Sequence, residues 1–230
     1  QALIDAVNKG NNFYTQSEGL PELLNAIAQK ENSKGLSIGP ENILVTNGVS
    51  EGLDMVISSI VEEGDEVLLP GPYYPPYASY VRLHGGKPIE FEVDLGTSQP
   101  NIDDLKSKIS SKTVAICLIT PNNPTGLIFN EKSLKEIVDI ANEHDLYIIC
   151  DEIYDKIVFD EKFTGIGKVS GDAPIILLNG FSKVHLMSGW RIGYIVFNDS
   201  PKLDLIRENL PKLARVRIST NLPVQHAALE

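Results

Sequence analysis

Apolar and polar positions along this chain fall into two kinds of segment that take turns. Short, largely apolar runs at Ile43–Thr46, Glu66–Pro70, Val114–Ile119, Leu146–Cys150 and Ile175–Leu178 predict strands buried on both faces, and Lys87–Val93 reads as a further strand. Between them lie stretches with a helical period. In Glu131–His144 the residues Leu134, Ile137, Val138 and Ala141 recur at 3, 4 and 7 positions and form one apolar stripe. Helices are likewise predicted from Gly48 through Ile60, over Tyr77–Leu83 and over Ile102–Ile109. Another precedes Ile43, with Leu20, Leu23, Leu24 and Ile27 on one side and Gly35 ending it. Doubly buried strands alternating with amphipathic helices predict an α/β fold of three layers, α/β/α, with a mostly parallel sheet covered on both sides. No internal repeat and no long linker divides the chain, so residues 1–230 read as one domain.

In such a sheet, ligands sit at the carboxyl ends of the strands, in the loops that follow. The polar groups just after the apolar runs therefore carry the candidate chemistry. They are Asn47-Gly48-Val49-Ser50, Pro72-Tyr73-Tyr74, Pro121 to Gly126, Asp151 to Tyr154, and Asn179 to Lys183.

Composition narrows the field. An apolar content of 42% supports a packed core and excludes a disordered chain. Lys+Arg 20 against Asp+Glu 31 leaves a net charge of −11, which repels a phosphodiester backbone and argues against nucleic acid as a partner. A single anionic ligand held by a few local cations remains compatible with that field. No apolar run is long enough to span a membrane. Cys117 and Cys150 lie inside apolar runs, match no zinc spacing and read as buried reduced thiols. The chain opens at Gln1 with no basic or apolar leader, which predicts no signal peptide and a cytoplasmic protein. Both ends look cut, so a fragment of a longer protein is expected.

One motif invites a different reading. Gly48-Val49-Ser50-Glu51-Gly52 matches the G-x-S-x-G elbow of serine hydrolases, with a strand before it and a helix after. His84-Gly85-Gly86 then resembles an oxyanion-hole segment, but it follows the serine where such enzymes place it before. His185 or His226 would have to complete a triad, leaving Lys183, Arg191 and the Asn123 loop unused. The same turn also reads as a glycine opening a helix whose free amides face an anion.

A longer signature decides between them. Gly180-Phe-Ser-Lys183-Val-His-Leu-Met-Ser-Gly-Trp-Arg191-Ile-Gly193 closely resembles the lysine-attachment signature of class I aminotransferases, pyridoxal-phosphate enzymes of fold type I. Three more elements stand in the family's order: Asn-Pro-Thr-Gly at Asn123, Asp-x-x-Tyr at Asp151 and Tyr154, and Tyr-x-x-x-x-Gly at Tyr14 and Gly19. Within the family, Pro-Tyr-Tyr-Pro-Pro-Tyr and Arg217-Ile-Ser-Thr-Asn-Leu-Pro-Val-Gln look most like the alanine aminotransferase branch. Singly, each element has an ordinary alternative. Lys183 could be a solvated lysine and Arg191 a rim charge. The Asn123 loop could be plain turn chemistry, Asp151 a helix cap, and Tyr74 one core tyrosine among Tyr73, Tyr77 and Tyr80. Their joint order carries the resemblance.

The resemblance implies pyridoxal 5'-phosphate as cofactor and transamination between an L-amino acid and a 2-oxo acid such as 2-oxoglutarate, through a lysine Schiff base at Lys183. It implies that Asp151 pairs with the protonated ring nitrogen, and that Tyr154 and Asn123 donate to the phenolic oxygen. Tyr74 would stack on the ring. Arg191, the amides of Val49 and Ser50 behind Gly48, and the Ser182 hydroxyl would hold the phosphate. Lys183 would also move the substrate proton, a task for which burial and nearby cations should prepare it. Tyr14 would reach the phosphate of a neighbouring subunit, which implies a homodimer. Many relatives carry a serine three residues before the lysine; Gly180 stands here instead, so one phosphate contact is missing or replaced. A lyase or decarboxylase of the same fold would share every cofactor residue. An aminotransferase-like effector domain of a transcription regulator would share them too.

Overall fold

A computed structural model describes residues 1–160 and 162–230. Among them a sheet of eight strands has the order β1-β8-β7-β6-β5-β2-β3-β4. The predicted strands are β1 (Ile43–Thr46), β2 (Glu66–Gly71), β3 (Lys87–Asp94), β5 (Thr113–Ile119), β6 (Tyr147–Asp151) and β7 (Ile175–Gly180). Strands β3, β2, β5, β6 and β7 run parallel to their neighbours in turn.

Period-two alternation assigns each strand residue to a face. Ile116 and Leu118 of β5 face one core with Ile148 and Cys150 of β6, while Ala115, Cys117 and Ile119 face the other with Ile149. The first core is roofed by α2 (Pro21–Asn32) and α6 (Glu131–Glu143), through Leu23, Leu24, Ile27 and the Leu134–Ala141 stripe. The second is covered by α3 (Val49–Ile60), α4 (Pro76–Leu83) and α7 (Asp204–Ala214). Helices on both faces of one sheet make the expected three layers. Cys117 and Cys150 are free and buried, as expected.

Several elements were not legible in the pattern. They are α1 (Ala2–Asn8), the two-residue β4 (Gln99–Pro100), α7, and β8 (Gly193–Phe197). The interior Pro211 disguises α7, since proline removes a helical donor. The chain's end does form a helix, α8 (Leu222–Leu229).

Strand β8 matters most, because it lies between β1 and β7 and is antiparallel to both. Its register pairs Gly193 with Thr46 on one side and with Gly180 on the other. The start of β8 therefore meets the carboxyl ends of β1 and β7 at one edge of the sheet. That edge receives the loops after β2, β5 and β6 as well. No helix among the described residues is long and apolar enough to cross a membrane.

Candidate active site

A cavity of about 260 Å³ opens at that edge. Each loop named above reaches it: Val49 and Ser50 from α3, Tyr74 before α4, and Asn123 after β5. Asp151 and Tyr154 come from the end of β6, and Ser182, Lys183 and Arg191 from the segment joining β7 to β8.

Asp151 lines this cavity and is 3% exposed. Its Oδ1 accepts the Ile153 amide at 2.9 Å, and the Tyr77 hydroxyl donates to its Oδ2. Among the described residues it has no ion-pair partner. Burial pushes its carboxyl from 3.8 up to about 6, against the pull of the Tyr77 hydroxyl, the Ile153 amide and the charge of Lys183. Burial and the Asp151 charge in turn push the Tyr77 phenol well above its ordinary value, so it stays a donor. A buried carboxylate in this condition is matched to a cationic group entering the cavity.

A second part of the lining offers groups suited to an anion. Gly48 caps α3 with φ +84°, and its Asn47-Gly48 turn leaves the first-turn amides of Val49 and Ser50 without partners inside the helix. Arg191 lies directly against this turn, and a Cβ on Gly48 would stand 2.5 Å from its Nη2. Arg191 is itself left-handed at φ 52° and donates to the Ser188 carbonyl at 3.1 Å and the Asn47 carbonyl at 3.4 Å. Those bonds aim the guanidinium across the helix N-terminus. An anionic group there would meet the fork and the amides together.

Lys183 lines the same cavity, with its Nζ 5.6 Å from the centre of the Tyr154 ring. Lys183 is exposed, so the described residues do not supply the burial expected of it. Tyr74 stands edge-on to Tyr77, with ring centres 6.5 Å apart and planes at 76°. Behind Asn123, the Asn122 side-chain oxygen accepts from the Thr125 amide at 3.1 Å and its hydroxyl at 2.8 Å. That local turn turns Asn123 towards the cavity. Tyr14 is outside the lining and 73% exposed.

The departure at Gly180 has a geometric counterpart. A Cβ there would come within 2.8 Å of the Gly193 Cα and 3.0 Å of the Ile192 carbonyl. The β7–β8 pair is thus too close, at this register, to admit a serine without moving backbone.

The hydrolase alternative fails on geometry. His84 is bound to Asp54 at 2.7 Å, His185 packs on Phe181 at 5.3 Å between ring centres, and His226 lines a different cavity. None is hydrogen-bonded to Ser50.

Two contributions escaped the sequence reading. Tyr77 is one helical step, i to i+3, beyond Tyr74, a spacing that could have marked it. Glu51 accepts from the Asn47 amide at 2.7 Å and side chain at 3.1 Å, and meets Arg217 Nε at 3.1 Å. Arg217 also donates to the Val45 carbonyl at 2.7 Å, bracing the anion-binding turn from behind.

Comparison with known proteins agrees with this geometry. The family described as aminotransferase class I and II matches residues 1–230. The chain is 40% identical over 219 residues to a glutamate-pyruvate aminotransferase of Haemophilus influenzae, covering 93% of this chain and 54% of that protein. It is 36% identical over 204 residues to a probable aspartate aminotransferase of Methanocaldococcus jannaschii, with 87% and 54% covered. The structure of an alanine aminotransferase from Pyrococcus furiosus superposes with a TM-score of 0.96 at 42% identity, covering 99% of this chain and 59% of that one. The chain spans about half the length of the curated relatives it matches.

Proposed function

Because this chain belongs to the class I and II aminotransferase family, we propose that it forms the cofactor-binding domain of an enzyme that moves an amino group between an L-amino acid and a 2-oxo acid. Family members depend on pyridoxal phosphate, and the donor set here fits that molecule. In the lining of a single cavity it offers a buried carboxylate without an ion-pair partner among the described residues, and a guanidinium beside free helix amides. When bound, pyridoxal phosphate supplies an electron sink for the charge that develops on the substrate α carbon.

The chain's own residues have separable tasks. Asp151 holds the proton on the ring nitrogen, since its carboxylate gains a counter-charge in a site where burial otherwise disfavours it. Arg191, the Val49 and Ser50 amides and the Ser182 hydroxyl bind the phosphate. Tyr74 limits the tilt of the ring. Tyr154 and Asn123 would donate to the phenolic oxygen, and Lys183 would anchor the cofactor and, once displaced by the substrate amine, take the proton from the substrate α carbon as a free amine. Names among the relatives divide between alanine or glutamate–pyruvate and aspartate, and the alanine-type motifs of this sequence favour the former. Tyr14 is exposed and outside the lining of this cavity, and we infer from the family motif that it serves a second copy of the chain in a homodimer.

The observation that carries this reading is that Asp151, Lys183 and Arg191, from three separate loops, line one cavity. Adding pyridoxal phosphate to the purified protein should produce the yellow absorption of lysine-bound cofactor, and Lys183→Ala should abolish it. Absence of that absorption in the unmodified protein would overturn the reading. Product analysis with alanine and 2-oxoglutarate then separates transamination from loss of a carboxyl group or of a side chain.

A further inference from the structure

Beneath the cavity lies a group of buried charges that no task above uses. Glu31, from the end of α2, is fully buried, as are Glu152 and Asp155 on the turn that follows β6. Two ammonium groups face these three carboxylates. Lys34 Nζ lies 2.6 Å from Glu31, 2.9 Å from Glu152 and 3.1 Å from Asp155. Lys30 Nζ lies 3.3 Å from Asp155 and donates to the Tyr194 hydroxyl at 2.9 Å. Tyr194, on β8, donates its own hydroxyl hydrogen bond to Glu31 at 2.6 Å. From β7, the Asn179 amide donates to Asp155 at 3.0 Å.

Such a cluster is a poor device for stability alone. Desolvating several charges costs about as much as their attraction returns, and apolar replacements are often as stable. Its value here lies in where it grips. The turn is four-sided in effect: Asp151 and Tyr154 face the cavity, while Glu152 and Asp155, the residues beside them, face Lys34. Glu152 is held further by the Ile166 amide at 2.7 Å, and its own amide donates to the Leu178 carbonyl at 2.9 Å. Burial raises the Glu152 carboxyl against the pull of Lys34, whereas at Asp155 the two lysines outweigh burial and keep it low. The charged state of Asp155 is therefore the one the fold selects.

We propose that Lys34, acting through Asp155 and Glu152 and assisted by Asn179, is a positioning residue that sets the orientation of Asp151 and Tyr154 towards the cofactor. A turn with a free underside could rotate Asp151 and Tyr154 together; the ion cluster makes that rotation expensive by separating opposite charges in a dry site. The same contacts tie α2, β6, β7 and β8 to the two residues that touch the ring nitrogen and the phenolic oxygen.

The inference rests on the proposed cofactor site, and the full-length protein that carries this sequence tests the two separately. Asp155→Asn keeps the shape of the side chain and leaves two lysines facing two carboxylates, Glu31 and Glu152, so the fold is retained. It should shift the pH midpoint of the bound-cofactor absorption and lower kcat by about 10²-fold, the loss expected of a misplacement of roughly 1 Å, with KM for the amino acid little changed. Should that variant fail to fold, Asn179→Ala, which removes the neutral donor to Asp155 together with the acceptor of the Gly180 amide at 2.7 Å, gives the same readouts at smaller amplitude. A variant that binds the cofactor with unaltered spectrum and kcat, and is merely less stable, overturns the inference. An unmodified protein with no cofactor absorption overturns the proposed function and this inference with it.

Discussion

The Tyr77 hydroxyl donates to Oδ2 of Asp151, joining α4 to the end of β6 across 74 residues of sequence. Among the described residues it is the one side-chain hydrogen bond to this carboxylate, which burial otherwise drives towards its neutral form. Removing it should weaken the ionised state of Asp151. In Tyr77→Phe we expect the affinity for pyridoxal phosphate to fall by about 10- to 100-fold, the equivalent of a buried hydrogen bond to a charged group at about 1.5–3 kcal/mol. Cofactor titration followed by absorption measures it, and unchanged affinity would mean that the contact is idle.

Asp151 should make the cofactor-free protein lose stability as pH rises from 3.8 to about 6. Its folded value of about 6 lies above the ordinary 3.8, so the folded state binds the extra proton between those limits. Stability from this group is complete below pH 3.8 and declines as pH rises through about 6. The shift corresponds to about 3 kcal/mol at neutral pH. Asp151→Asn should therefore flatten the fall in urea midpoint across that window, stabilise the cofactor-free protein at neutral pH, and lose cofactor affinity. A parallel fall in both proteins would assign the decline to other groups.

Arg191 should discriminate by phosphate alone. Arg191→Lys keeps the charge but gives up the planar fork. Affinity for pyridoxal phosphate should drop by about tenfold or more, while the weak binding of unphosphorylated pyridoxal stays unchanged. Equal losses for both ligands would place Arg191 somewhere other than at the phosphate.

Gly180→Ser tests whether the hydroxyl found in many relatives can be restored. Its Cβ would meet the Gly193 Cα at 2.8 Å, a backbone atom that cannot swing aside. We expect destabilisation of about 1–3 kcal/mol by overpacking, with no gain in phosphate affinity. Denaturant melts and cofactor titration give the two numbers, and a stable variant with tighter binding would contradict the register described here.

Much of this protein is written locally. The stripe in Glu131–Glu143, the doubly buried strands and the glycine before α3 each follow from a period or a residue type, and so does the three-layer fold they assemble. The cofactor residues were legible because their spacing within each loop follows the family signature, and Asn123, Asp151, Tyr154, Ser182, Lys183 and Arg191 do line one cavity. Tyr14 does not reach it, and Lys183 lies exposed where burial was expected.

What the sequence by itself determined is therefore the alternation of strands and helices, the loops that must share one sheet edge, and the chemistry each loop brings. Only the tertiary structure decided which groups touch. Strand β8 turns back between β1 and β7 and so delivers Arg191 to a turn 144 residues away. Lys34 reaches the underside of the Asp151–Asp155 turn, and Tyr77 reaches Asp151 itself. Hydrophobic period is a property of neighbours along the chain, whereas these contacts depend on strand order and register, which arise from packing of the whole sheet and leave no local trace.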